Sequence, residues 1–135
     1  MMDKIGILNY LKENGLGDAE ELAYKDDIFV VNFFYDFDEE EIKSAKAYSN
    51  DESKEEEKEE GEIWYEEFFL PYLNDLAVDN VGEVIEEIMG KFNIDGQYVS
   101  YEMDEEAHEC NEFVAIFHEK GKEINIEKII EELNL

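Results

Sequence analysis

The chain has 135 residues, of which 44% are apolar and 13% aromatic, enough for one hydrophobic core in a single acidic domain and too apolar for a wholly disordered polypeptide. Its 39 aspartates and glutamates against 11 lysines and no arginine give a formal net charge of −28, which speaks against nucleic-acid binding and phosphoryl transfer, chemistries that favour the guanidinium fork. The single cysteine, Cys110, precludes an internal disulfide, and no stretch reads as a secretory signal or membrane span, so the expected location is cytoplasmic.

Residues 2–13 carry Ile5, Ile7, Leu8, Tyr10 and Leu11 at helix-compatible spacing, ended by Asn14-Gly15. Ala19 to Tyr24 reads as one weak helical turn. Ile28 to Phe37, Ile-Phe-Val-Val-Asn-Phe-Phe-Tyr-Asp-Phe, has eight apolar residues in ten and predicts a central strand buried on both faces. Asp38 then predicts a helix N-cap, with Glu41 in capping-box position and Ile42, Ala45 and Tyr48 along the helix. Asp51 to Glu62 holds eight acids, two lysines, one serine, one glycine and no apolar residue, and predicts a flexible acidic loop over 50–62.

Residues 63–92 are the longest apolar-periodic region, with Trp64, Phe68 and Tyr72 in one row and Tyr65, Phe69, Leu73 and Leu76 in the next. Pro71 either kinks a helix or sits in a first turn, and the region predicts two helices, the second capped by Asp79 or Asn80 and bearing Val81, Val84, Ile85, Ile88, Met89 and Phe92. Asp95-Gly96 predicts a turn into a strand over 97–103, paired as an antiparallel hairpin with a second strand over 112–119. Asn125 predicts the cap of a last helix with Ile126, Ile129, Ile130 and Leu133. The expected fold class is α+β: a small, mainly antiparallel sheet of about three strands covered by helices, in the order α-β-α-(acidic loop)-α-α-β-β-α. Strand order stays open, because the first strand favours the centre while the hairpin keeps its two strands adjacent.

Four groups of residues are candidate sites. Asp36-Phe37-Asp38, two carboxylates after an apolar strand, could hold Ca²⁺ or Mg²⁺. Over these few residues it resembles the start of the haloacid-dehalogenase-type phosphatases, a resemblance that implies a nucleophilic first Asp and a general-acid second. Glu40 stands where that family has Thr or Val, and helix capping explains Asp38 without a ligand. Lys91 to Glu102 partly overlays a calcium-binding EF-hand loop, with Asn93, Asp95, Gly96 and Glu102 at its third, fifth, sixth and twelfth positions. Lys91 occupies the first position, where a carboxylate belongs, so a helix-to-strand turn is the preferred reading. His108, Cys110 and His118 form an incomplete zinc set, better read as a buried cysteine and surface histidines.

The fourth group is aromatic. Trp64, Tyr65, Phe68, Phe69 and Tyr72, with Tyr98, exceed what a small core needs, and among so many acids they would suit a surface that docks a basic partner. The resulting expectation is an acidic interaction or adaptor module for a basic protein surface, without catalysis and without nucleic-acid or membrane partners. The alternative is a divalent-cation-binding protein or metal-dependent hydrolase built on Asp36, Asp38 and neighbouring carboxylates.

Overall fold

The computed structural model describes residues 2–25, 27–53, 61–101, 103 and 109–135. Its strands are Leu16–Leu22 (β1), Ile28–Asp36 (β2), Asp95–Ser100 (β3) and Cys110–His118 (β4). Its α-helices are Lys4–Glu13 (α1), Glu39–Glu52 (α2), Leu70–Phe92 (α3) and Ile126–Glu132 (α4), and a π-helical segment, Trp64–Phe69, runs directly into α3. The fold is α+β, with four strands in the order β1-β2-β4-β3, every neighbouring pair antiparallel.

β2 is an inner strand. Its nine residues pair with β4 from Ile28↔His118 to Asp36↔Cys110, and β1 lies along its other edge. This order satisfies both preferences that competed in the sequence: β3 and β4 stay adjacent while β2 gains a partner on each side. The side-chain period of two then divides the inner strands between two faces. Phe29, Val31, Phe33, Phe113, Ala115 and Phe117 pack with buried residues of α1 and α3, including Ile7, Leu11, Ala77, Val81, Ile85 and Ile88. Ile28, Val30, Val114 and Ile116 take the opposite face, against Ile129 of α4. Burying each such side chain contributes about 1.5–3 kcal/mol, and the cross-strand rings of Phe33 and Phe113 stack at 5.6 Å.

The sheet has four strands where about three were expected, because 16–22 is β1 and not a loop with a helical turn over 19–24. Leu-Gly-Asp-Ala-Glu-Glu-Leu has no β-branched residue, so its extended state comes from the ladder offered by the free edge of β2, not from propensity. The pairing shifts between Gly17 and Glu20, where Asp18 takes φ 52°. An acidic, bulged edge strand of this kind resists further strand addition.

α2 starts as the sequence predicts. The Asp38 side chain accepts from the Glu41 N–H at 2.8 Å, and Glu41 Oε1 accepts from the Asp38 N–H at 3.0 Å. The acidic loop expected over 50–62 largely falls outside the described residues, at 54–60, whereas Asn50, Asp51 and Glu52 belong to α2.

The two helices expected over 63–92 are one continuous helical run. Pro71 takes the first-turn position of α3, directly after the π segment, and does not end the run. The wide turn before it carries the Leu70 N–H to the Tyr65 carbonyl, five residues back, which relieves the clash a proline ring makes with the turn behind it. Asp79 and Asn80 therefore lie inside α3 and cap nothing. Asn93, in the left-handed conformation (φ 55°, ψ 51°), closes the helix by donating its N–H to the Met89 carbonyl. α4 begins at Asn125, whose side chain accepts from the N–H groups of Glu127 and Lys128.

Candidate functional site

The aromatic stretch divides between core and surface, and the π turn decides how. A π turn adds one residue to the helical repeat, so the row lying above Trp64 continues at Phe69, not Phe68. Trp64 and Phe69 are fully buried with Ala45 and Leu73, their rings stacked at 4.8 Å. Trp64 Nε1 donates to Asn50 Oδ1 at 2.9 Å, which ties the π segment to α2. Trp64 and Phe69 are thus core residues, and the surface role expected for them is not available in this fold. Tyr65 is half-buried, edge-on to Trp64. Tyr98 is half-buried against the sheet core, its hydroxyl donating to the Val78 carbonyl at 3.3 Å.

Phe68 and Tyr72, four residues apart, point to a different side, and there they meet a residue the sequence did not single out. Tyr48 of α2 is 41% exposed and lies 5.1 Å from the Tyr72 ring and 6.5 Å from that of Phe68. Its spacing after Ile42 and Ala45 reads as core, and nothing in the sequence brings it to a helix 20 residues away. At 100° per residue, Asp51 and Glu52 fall roughly 60° and 40° around α2 from Tyr48, whereas Lys43 and Lys46 fall roughly 140° and 160° away. Glu67 beside Phe68 and Asp75 one turn after Tyr72 are also exposed. The result is a three-ring cluster, Tyr48 exposed and Phe68 and Tyr72 half-buried, on helical segments that also carry exposed carboxylates.

The carboxyl end of β2 is organised differently. Asp38 is engaged as the cap of α2, and Asp36 leans over β1, its carboxylate 3.0 Å from where a Cβ on Gly17 would lie. The Tyr35 hydroxyl donates to Glu41 Oε2 at 2.6 Å and accepts from Asn80 Nδ2 at 2.7 Å, joining β2, α2 and α3. Burial, followed by the hydrogen bond to Glu41, pushes the Tyr35 hydroxyl up to about 12. Among the described residues, no three His, Cys, Asp or Glu side chains come together in a way that could hold a metal ion. The antiparallel sheet also differs from the parallel arrangement of the phosphatases that Asp36-Phe37-Asp38 resembles.

Cys110 is half-buried opposite Asp36, and its thiol is pushed up by burial and then by Asp36, Glu109, Glu112 and Asp18. A thiol held protonated is the reverse of an activated nucleophile. His118, expected at the surface, is buried, and at eight residues along β4 it stands about 26 Å from Cys110, too far to share a metal or a proton. His108 lies outside the described residues. The EF-hand overlay resolves into a helix end and a strand: Lys91 Nζ sits 4.9 Å over the Tyr10 ring, and Gly96 is in β3 under the Phe117 ring. Glu102, at its twelfth position, lies outside the described residues.

Among the described residues no helix is long and apolar enough to cross a membrane. Compared with known protein families, curated proteins and solved structures, the chain matches none.

Proposed function

We propose that this protein is an acidic docking module for a basic protein surface, with Tyr48, Phe68 and Tyr72 as its contact residues. The observation that carries this reading is the three-ring cluster in which Tyr48 is exposed and Phe68 and Tyr72 are half-buried, with exposed Asp51, Glu52, Glu67 and Asp75 on the same helical segments. Aromatic rings supply contact area at little loss of rotamer freedom, and they dominate the energetics of many interfaces. Carboxylates around them attract cationic partners and reject acidic ones. The net charge of −28 adds a long-range field that raises encounter rates with cations and weakens as salt screens it.

The test uses an amphipathic helical peptide with lysines on one face and leucines on the other, titrated calorimetrically at low and moderate salt. Wild-type protein should bind, less tightly as salt rises. Replacing Tyr48 and Tyr72 by serine should weaken binding by at least about tenfold, or 1.4 kcal/mol, with the fold retained. Affinity unchanged in that variant, or indifferent to salt, would remove the basis of the proposal.

A further inference from the structure

Where β3 and β4 meet the loop of residues 119–125, an open cleft of about 540 Å³ is lined by Asp95, Gln97, His118, Lys122, Glu123 and Asn125, among others. The loop reverses at Gly121 (φ 88°) and is fastened to β3 by Gln97, whose Nε2 donates to the Ile124 carbonyl at 2.9 Å. Lys122 is drawn to the side by Asp27, with Nζ 2.9 Å from its carboxylate and 3.9 Å from that of Glu119.

His118 is the member of this wall whose chemistry is incomplete. It is 2% exposed, directly opposite Asp95 on β3 and Ile28 on β2, so all three side chains leave the sheet on the same face. Its Nδ1 lies 3.0 Å from the Glu119 carbonyl oxygen, which can only accept, so Nδ1 carries the proton. In the neutral ring Nε2 is then a bare lone pair, and it is buried with no hydrogen-bond partner among the described residues. A buried acceptor left in this state is destabilising. The partner it lacks must be a donor.

The rest of the wall says which kind. Asp95 and Glu123 favour a cation over an anion, and the one lysine of the wall is bonded to Asp27. A metal would require further ligands, and no group of three suitable side chains is present among the described residues. We propose that this cleft binds a small organic ammonium, whose N–H donates to His118 Nε2 and whose charge is met by Asp95 and Glu123. The volume is in the usual range for small-ligand sites, roughly 300–1,000 Å³. None of these residues belongs to the docking surface.

The experiment is a titration of the whole protein with 1,4-diaminobutane, read by the ring ¹⁵N shifts of His118, with the His108→Asn variant providing the assignment. Tetramethylammonium, which has the charge but no N–H, and NaCl at equal ionic strength are the controls. The expected result is a saturable Nε2 shift with the diamine alone, and at least about tenfold weaker binding in the Asp95→Asn, Glu123→Gln double variant. His118→Phe, with its fold checked by the amide spectrum, should abolish binding; the double variant keeps the test decisive if that protein does not fold. The proposal is overturned by a shift that follows ionic strength, by equal binding of tetramethylammonium, by undiminished affinity in the double variant, or by an Nε2 shift that no amine moves, as a resident water would give.

Discussion

Replacing Tyr35 by phenylalanine tests the network that joins β2, α2 and α3. The hydroxyl donates to the Glu41 carboxylate at 2.6 Å and accepts from Asn80 at 2.7 Å, while Glu41 is also half of the capping box of α2. A hydrogen bond to a charged group is worth about 1.5–3 kcal/mol, and its loss leaves the Asn80 amide short of an acceptor. The expected destabilisation near neutral pH is therefore about 2–3 kcal/mol. The pH dependence has a definite sign. The folded-state pKa is raised from 10.0 to about 12, so the neutral phenol is the form the fold favours. Its contribution is complete below about pH 10 and disappears as pH climbs from about 10 to about 12, an effect of about 2 kcal/mol after allowance for partial solvent screening. Urea unfolding of wild type and Tyr35→Phe at several pH values measures the difference directly. It should be constant from pH 7 to about 9 and shrink above about 10. A difference below about 0.5 kcal/mol at pH 7, or one indifferent to alkaline pH, would refute the assignment of the network.

Three further outcomes are expected. Trp64→Ala removes a fully buried ring and should lower stability by about 3–5 kcal/mol, whereas Tyr48→Ala, on the surface, should change stability by less than about 1 kcal/mol; comparative denaturation checks both. With 39 acids against 11 lysines, close carboxylate pairs about 7 Å apart each repel by roughly 0.6 kcal/mol in water, so the melting temperature should rise from low to moderate ionic strength, and a flat or falling curve contradicts this. Cys110, its thiol pushed up by burial and four carboxylates, should alkylate more slowly at pH 8 than a free cysteine, and its rate should keep rising beyond the pH at which the free thiol levels off.

What could be read from the sequence is what local chemistry decides. Ile28–Asp36 is too apolar and β-branched to be anything but an inner strand, and Asp38 with Glu41, or Asn125 before Ile126, are caps whose bonds close within one turn. What escaped is decided by distant partners. β1 is extended because β2 needs a neighbour, although its own residues favour no strand. Trp64 and Phe69 exchange the surface for the core because one wide turn before Pro71 shifts the helical rows, and the proline was the only local sign of it. Tyr48 joins Phe68 and Tyr72 only through the packing of α2 on the π segment. His118 shares the face of Val114 and Ile116 in a strand whose alternation predicts two faces, but its burial shows only once Ile28 of β2 lies opposite it.

The docking surface is tested most directly by amide and aromatic-ring NMR shifts as the basic amphipathic peptide is added at moderate salt. The perturbed signals should centre on Tyr48, Phe68 and Tyr72 and the carboxylates beside them, and the Tyr48, Tyr72 double serine variant should lose them while its remaining spectrum is preserved. Perturbations spread evenly over every acidic surface, or centred elsewhere and unaffected by that variant, would contradict it.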